Sequence, residues 1–351
     1  MQFENSGKSC TSGLRSANPL EQPLRIGGFD ARNRSFLAPM SGVSDAPFRR
    51  LAWRFGAGLV VSEMVASEAL VCGLFEMELK AQSAGLPMHI VQLAGREAKW
   101  MALAAKLAEA NGADVIDINM GCPSKRVTTG YSGSALMRDL DHATSLIEAV
   151  TGAVNVPVTL KMRLGWDAQT INAPELARRA ENCGVSMITV HGRTRCQFYK
   201  GNADWGAIRP VREATRLPLV VNGDICGHDS AVQALRLSGG DAVMIGRASY
   251  GRPWLAGEIA GQAGAQLMNA VDLICEHHEA MLSHYGAQLG IRQARKHLGW
   301  YLTTIANEAD ERTRIQLMTS ESPQEIQRCI KSIFDGGKPL EVEPGRASEA
   351  A

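Results

Sequence analysis

The segment DVIDINMGCPSKRV, residues 114–127, places a thiol directly after an apolar, β-branched run. Such a run predicts a buried strand, and Pro123 restricts the backbone immediately after Cys122. A cysteine at the end of a strand can pack in the core, ligate a metal, attack an electrophile or donate a proton. The surrounding sequence has to distinguish these four roles.

Other apolar runs also end on polar side chains, and these are Glu63, Gln92, Asn119, Lys161, His191 and Asn222. A polar group that is buried without a hydrogen-bond partner costs free energy. Each of these residues alone could be a satisfied core or loop residue. The whole row predicts a polar, planar ligand that lies across the strand ends.

Two segments with glycine, NGDICG and IGRASYGRPW, follow the last two apolar runs. Gly223 and Gly246 allow close approach of the backbone and Arg247 offers a forked cation, which together predict a phosphate site. A phosphate attached to a polar-edged ring suggests flavin mononucleotide (FMN). Beside this ring Lys161 would stabilise the anionic reduced flavin, the alternative being an ion pair with Glu63.

Eight apolar runs recur about every 30 residues, which is the size of a βα unit. They are residues 35–40, 59–64, 88–95, 114–121, 156–163, 187–193, 217–224 and 241–248. Because helical patterns separate them, they predict an α/β fold, a (β/α)8 TIM barrel. A doubly wound sheet is the alternative, but no GxGxxG motif follows the first run.

The strand pattern stops after Trp254, and helical patterns follow it. One of them begins with a capping box from Ser322 to Glu325. We therefore predict an FMN-binding barrel over residues 26–254 and a helical domain over 255–337. A poorly ordered leader over 1–25 and a disordered tail over 338–351 would flank them.

The 351-residue chain is 45% hydrophobic and carries a net charge of +1, which is an ordinary profile for a soluble globular protein. The N-terminus lacks the apolar stretch of a signal peptide, and no run is long enough for a membrane span. The eight cysteines are scattered without a CxxC motif. This usage is typical of reduced thiols in the cytoplasm and predicts no metal site.

Six motifs carry a resemblance to a known family: LAPMSGVSDAPFRRL, DINMGCPSKRV, TLKMRLGW, VHGRT, VNGDI and IGRASYGRPWL. They resemble the tRNA-dihydrouridine synthases, and most of all the B-type bacterial branch related to the nitrogen-regulation protein. The resemblance covers about Ser35 to Phe334. It implies FMN at the mouth of a TIM barrel, NADPH as reductant and a helical domain that helps to hold tRNA. It implies no stable protein partner, so we expect a monomer.

The resemblance also assigns individual residues. It places Cys122 at the catalytic position. It places FMN contacts at Pro39, Met40, Ser41, Gln92, Asn119, Lys161, His191, Asn222, Gly223, Asp224, Gly246 and Arg247.

Reduction of the C5=C6 bond of uridine adds a hydride to C6 and a proton to C5. The hydride would come from N5 of the reduced flavin, and the proton needs an acid on the opposite face of the base. A free cysteine has a pKa of about 8.5 and is mostly protonated at neutral pH. Cys122 therefore suits proton donation, and the loop after it, PSKRVTTGYSGSAL, resembles a mobile lid.

A uridine inside folded tRNA, expected in the D-loop, has to be flipped out while cations position the RNA backbone. Candidate cations are Lys125, Arg126, Arg193 and Arg195 at the barrel mouth and Arg292, Arg295 and Lys296 on the helical domain. The last three could equally form a solvated helix face. For His277, His278 and His297 we expect surface or packing positions rather than a metal.

Two rival functions stay open at this point. A flavin barrel could reduce a small free pyrimidine, as in proteins similar to dihydroorotate dehydrogenase, but it would not need the helical domain. A tRNA-binding protein without redox activity would need neither the polar strand ends nor Cys122.

Overall fold

The structure is a computed structural model that describes residues 18–262, 269–306 and 310–334. Its strands are β1 (Leu24–Ile26), β2 (Phe29–Ala31), β3 (Ser35–Leu37), β4 (Leu59–Val60), β5 (Met64–Ala66), β6 (Ile90–Ala94), β7 (Val115–Met120), β8 (Val158–Arg163), β9 (Met187–His191), β10 (Leu219–Asn222) and β11 (Ala242–Ile245). Strands β3 to β11 form one sheet in the order β4-β3-β11-β10-β9-β8-β7-β6-β5.

The sheet closes into a barrel at its second predicted strand. That strand is interrupted, so β4 pairs in parallel with β3 while β5 pairs in parallel with β6. In the interruption, the Ser62 amide donates to the carbonyl of Ile90 at 3.0 Å, and the Gln92 amide donates to Ser62 Oγ at 2.9 Å. The predicted (β/α)8 TIM barrel is therefore confirmed, and each of the eight apolar runs contains one of its strands.

Helices follow the barrel strands along the chain, and the longer ones cover the outside of the barrel by burying an apolar face against the strands. They are α1 (Ala46–Arg54), α2 (Ser67–Val71), α3 (Phe75–Ala81), α4 (Ala98–Ala110), α5 (Lys125–Thr128), α6 (Leu140–Thr151), α7 (Ala173–Asn182), α8 (Arg209–Ala214), α9 (His228–Ser238) and α10 (Leu255–Ile259). In α6, for example, Leu146 and Val150 are fully buried in the cluster that includes Ile116 and Leu160 of the strands.

A second apolar cluster fills the barrel at the start of its strands. It contains Phe36, Ile90, Val115 and Val220, each at 3% exposure or less. Since successive strand residues point to opposite faces, these side chains point inward where their neighbours contact the helices. Apolar packing thus closes one end of the barrel and leaves the polar strand ends at the other.

Residues 18–25 are ordered, so the prediction of a leader over residues 1–25 is wrong for this part. Strands β1 and β2 form an antiparallel hairpin, and Leu20 and Ile26 are both fully buried. The hairpin packs into the cluster inside the barrel. Three-residue strands are too short to produce a readable alternation, which is why the sequence did not reveal them. Residues 1–17 and the predicted tail lie outside the described residues.

The C-terminal helices form a second core. They are α11 (Ala270–Tyr285), α12 (Ala287–Thr304), α13 (Glu311–Thr319) and α14 (Pro323–Phe334). Leu273, Leu298 and Ile330 lie at their centre, together with Phe55 from the end of α1. In contrast, α10 packs in the barrel cluster, so the predicted boundary at residue 255 falls one helix too early.

Three histidines of this region, the ones singled out in the sequence, pack in the interior. His277, His278 and His297 are 1–2% exposed, and the rings of His277 and His297 lie 5.9 and 5.5 Å from that of Phe48. No group of three potential metal ligands occurs within the described ranges. In the same ranges, no helix has the length and apolar character that crossing a membrane requires.

The packing of α10 generates a prediction about stability. A Cβ atom on Gly257 would lie 1.8 Å from the carbonyl oxygen of Phe55. We expect Gly257→Ala to lower the free energy of unfolding by about 3 kcal/mol, because α10 and the backbone at Phe55 must move apart. Gly28→Ala is the control, since no atom lies within 4 Å of its Cβ position, and should stay within about 0.5 kcal/mol. Urea unfolding measures both; equal losses would contradict the packing account.

Candidate active site

A hydrogen-bond network joins polar side chains of three neighbouring strands, β6, β7 and β8. Gln92 Nε2 donates to Asp117 Oδ2 at 2.6 Å, and Asn119 Nδ2 donates to Gln92 Oε1 at 2.7 Å. From β8, Thr159 Oγ1 donates to Asp117 Oδ1 at 2.6 Å. Burial raises the pKa of Asp117, while the bonds from Thr159 and Gln92 and the charge of Lys161 oppose this shift. The network fixes the amide side chains of Gln92 and Asn119 in one orientation.

Lys161 is held by an amide rather than by a carboxylate. Its Nζ donates to Asn222 Oδ1 at 3.0 Å, and Asn222 Nδ2 donates in turn to the carbonyl of Met244 at 2.8 Å. Desolvation lowers the pKa of Lys161 to about 8, with the nearby Arg163 acting in the same direction and Asp117 opposing it. The alternative ion pair with Glu63 does not form, because Glu63 accepts the amide of Gly42 instead.

His191 is a neutral imidazole of known tautomer. Arg193 Nη1 lies 3.2 Å from His191 Nε2, and because guanidinium only donates, Nε2 accepts and the proton sits on Nδ1. Desolvation first, and then the cations Arg163, Lys161, Arg193 and Arg247, hold the pKa of His191 well below its usual value. The strand end therefore presents an uncharged N–H donor.

Arg193 is a structural residue, which corrects its predicted role as an RNA contact. Its side chain is 2% exposed and grips both carboxylate oxygens of Asp224, at 2.9 and 2.5 Å. A buried guanidinium that is committed to a bidentate pair is not available to a phosphate of RNA. Its function is to hold His191 and Asp224 together.

The loops after β10 and β11 fit a phosphate group. Asp224 has a φ of +53° and Gly223 one of +115°, and a Cβ on Gly223 would lie 2.7 Å from Ala203 Cβ. Among the described residues, the backbone N–H groups of Gly223, Asp224 and Gly246 find no acceptor. Arg247 is exposed, 3.5 Å from Asp224 and 4.7 Å above the ring of Tyr199. Donors and a cation thus converge without side-chain obstruction.

The loop after β3 lies beside this phosphate site. Pro39 and Met40 are half-buried and Ser41 is exposed, and a Cβ on Gly246 would lie 3.9 Å from Met40 Sδ. The loop after the first barrel strand and the loop after the last one therefore lie next to each other.

Cys122 is tied to the strand-end network through its backbone. Its N–H donates to Asn119 Oδ1 at 3.0 Å, and its carbonyl accepts from the amide and the hydroxyl of Ser134 at 3.1 and 2.8 Å. A Cβ on Gly133 would lie 2.9 Å from that carbonyl. Burial raises the pKa of the Cys122 thiol, and this effect is opposed by the Ser124 backbone hydrogen bond and by the charges of Arg163 and Lys161. The half-buried group is a protonated thiol at neutral pH.

The predicted tRNA contacts differ in how accessible they are. Lys125, Arg126 and Arg292 are exposed. Arg295 is half-buried and donates to the carbonyls of Thr319 and Ser320, both at 3.3 Å. The remaining two, Arg195 and Lys296, are half-buried as well.

Lys296 belongs to a polar cluster that sequence reasoning did not find. Its Nζ donates to Gln293 at 2.6 Å, and a Cβ on Gly42 would lie 3.4 Å from it. The charges of Asp45 and Glu63 oppose the burial that lowers the pKa of Lys296. Burial together with Glu63 raises the pKa of Asp45 to about 7. These residues are far apart in sequence, so only the contact of α12 with the barrel brings them together.

Comparison with known proteins gives a consistent result. The sequence model of the family described as "Dihydrouridine synthase (Dus)" matches residues 36–335. A "Probable tRNA-dihydrouridine synthase" of Rhizobium leguminosarum bv. phaseoli is 57% identical over 306 residues, which are 87% of this chain and 96% of that protein. A "tRNA-dihydrouridine synthase B" of Xanthomonas axonopodis pv. citri is 43% identical over 320 residues, 89% and 96% of the two chains.

Two solved structures are similar in fold. Histamine dehydrogenase from Rhizobium sp. 4-9 superposes with a TM-score of 0.53 at 17% identity, over 75% of this chain and 51% of that one. Morphinone reductase gives 0.51 at 15% identity, over 70% of this chain and 90% of its own. At these identities the likeness concerns the fold alone.

The environment of Cys122 predicts how its reactivity depends on pH. Because burial raises its pKa, the thiolate should form only as the pH rises above the value of about 8.5 for a free cysteine. Alkylation by iodoacetamide, followed at Cys122 by peptide mass spectrometry from pH 6 to 10, should therefore have its midpoint above about 8.5. A midpoint below pH 7 would identify a nucleophilic thiolate and exclude the assigned protonation state.

Proposed function

The chain belongs to the dihydrouridine synthase family, an oxidoreductase family that acts on CH–CH groups, and we propose that it reduces the C5=C6 bond of uridine in tRNA. FMN is the proposed cofactor, NADPH the reductant, the D-loop the target and the cytoplasm the location. The observation that carries the proposal is the row of polar strand ends with a protonated thiol at its edge.

The residues of the cleft fit FMN. The N–H groups of Gly223, Asp224 and Gly246 would hold its phosphate together with Arg247, since these N–H groups find no acceptor among the described residues and Arg247 is exposed. The amides of Gln92 and Asn119, fixed by Asp117, would face the edge of the ring. Bound and reduced by NADPH, this cofactor supplies the hydride for C6 of the base.

Lys161 and His191 provide two different donors to the same site. Lys161, which Asn222 holds by a hydrogen bond, would offer a positive charge to the ring and so favour its anionic reduced form. His191 offers a neutral Nδ1–H, because Arg193 occupies its other nitrogen. One donor therefore brings a charge and the other does not.

Cys122 is the proposed acid. A thiol whose pKa is raised by burial keeps its proton at neutral pH and can deliver it to C5 of a base that lies between it and the strand ends. The Asn119 side chain connects the thiol loop directly to the network below. Asn119 therefore bonds both the backbone of the proposed proton donor and the side chain of Gln92.

Helix α5, which follows Cys122, and helix α12 offer exposed cations for RNA. Lys125 and Arg126 are exposed on α5, three and four residues after the thiol, and Arg292 is exposed on α12. Cations at these positions would hold phosphates next to a uridine that is flipped into the cleft. This placement favours a polynucleotide substrate over a free pyrimidine.

The assigned acid can be removed without removing the cofactor site. We expect Cys122→Ala to keep bound FMN and its bleaching by NADPH, and to lower dihydrouridine formation about a hundredfold or more. Product is counted by mass spectrometry of digested tRNA. Cys72→Ala, at an exposed cysteine, is the matched control and should behave as wild type. Full activity of Cys122→Ala would eliminate the thiol as the acid.

The role of Lys125 and Arg126 can be tested through the salt dependence of tRNA binding. Lys125→Ala combined with Arg126→Ala should weaken tRNA binding and reduce the slope of log K against log salt by about 1 for each lost phosphate contact. The control removes two exposed cations on outer helices, Lys106 and Arg236, and should leave the slope unchanged. Filter binding at several salt concentrations measures this; identical slopes in both double variants would refute an RNA contact at the lid.

A further inference from the structure

The segment that carries Cys122 is held from outside by two neighbouring loops. We define the lid as residues 121–138, which include α5 and a 3₁₀ helix over Gly133–Arg138. Arg163 Nε donates to the carbonyl of Gly121 at 2.9 Å, and Asn172 Nδ2 donates to that of Met137 at 2.7 Å. Both ends of the lid are therefore attached to β8 and to the loop that follows it.

The middle of the lid has a different attachment. Arg195, from the loop after β9, donates from Nη2 to Thr128 Oγ1 at 3.3 Å. Thr128 is 9% exposed and is the last residue of α5, and its own hydroxyl donates to the carbonyl of Ser124 at 3.1 Å. This contact is the side-chain bond that connects α5 to the strand β9 side of the site.

Trp166 sets the position of Arg195. The guanidinium carbon of Arg195 lies 4.7 Å from the centre of the Trp166 ring, and that of Arg138, at the end of the lid, lies 5.0 Å from it. The backbone supports the arrangement, since the Arg195 amide donates to Gly165 at 3.0 Å and the Cys196 amide donates to Trp166 at 2.8 Å. The Trp166 ring thus contacts two guanidinium groups, that of Arg195 and that of Arg138 in the lid.

The contact between Arg195 and Thr128 leaves part of the guanidinium group without a partner. Arg195 Nε is buried and has no acceptor within the described part of the chain. A buried donor without a partner costs free energy, and opening the contact would return it to water. The direct contact between Arg195 and the lid is one long hydrogen bond, and the Trp166 ring supports it by stacking with both Arg195 and Arg138.

We propose that Arg195, stacked on Trp166 and bonded to Thr128, is a positioning residue that latches the lid and so keeps the Cys122 thiol over the ring site. The expected effect on uridine reduction rests on the proposed function, whereas the expected effect on the accessibility of Cys122 does not. It replaces the RNA contact that the sequence suggested for Arg195, because the guanidinium is already directed at the lid.

The latch can be measured without substrate or cofactor turnover. On the full chain, labelling of Cys122 by N-ethylmaleimide is timed by peptide mass spectrometry, with the exposed Cys72 and Cys226 as internal references. Arg195→Gln and Thr128→Val should each accelerate labelling of Cys122 about fivefold, with the reference cysteines unchanged. The double variant should be no faster than either single one, because both remove the same contact.

Arg178→Gln is the matched control, since Arg178 pairs with Glu175 on the outer face of α7 and should not alter labelling. In the same variants FMN reduction by NADPH should be unchanged while uridine reduction slows about tenfold. Unchanged labelling of Cys122 in both single variants, or multiplied effects in the double variant, would overturn the latch. Faster labelling without any dihydrouridine formation, even by wild type, would keep the latch and reject the proposed function.

Discussion

The structure depends on the burial of polar side chains at the carboxyl ends of parallel strands. Asp117 is 3% exposed and serves as the acceptor that Gln92 and Thr159 share. Removing such groups from water is costly unless their hydrogen bonds are replaced. The barrel replaces these bonds internally, through the hydrogen bonds that Gln92, Asn119 and Thr159 make.

Burial also determines which side chains of the site carry a charge. Lys161 keeps its cation beside Asn222, whereas burial first, and then the nearby cations including Arg193, keep the pKa of His191 well below its usual value. Arg193 can lie at 2% exposure because Asp224 neutralises it. Cys122 stands at the edge of this positive region and still keeps its proton, since its burial has the larger effect. A protonated thiol, a cation and a neutral imidazole therefore coexist within one region of the barrel.

Much of this arrangement could be predicted from the sequence, because the polar side chains stand out within or at the end of apolar strand runs. The periodic runs gave the barrel, and the resemblance gave Cys122 and the positions around it. What could not be predicted depends on contacts between distant segments. Arg193 looked like an RNA contact until its partner Asp224, 31 residues later, was placed beside it. Lys296 looked solvated until α12 was placed on Gly42. The hairpin of β1 and β2 is too short to leave a pattern.

The central claim is that one ring site and one thiol act on a single base. An anaerobic single turnover tests it most directly: FMN-loaded protein is reduced with one equivalent of NADPH and mixed with unmodified tRNA, and flavin absorbance and dihydrouridine are both counted. The account predicts that the flavin reoxidises and that one dihydrouridine forms for each flavin. Reduced flavin that persists with tRNA present, or that reoxidises without forming dihydrouridine, would contradict it.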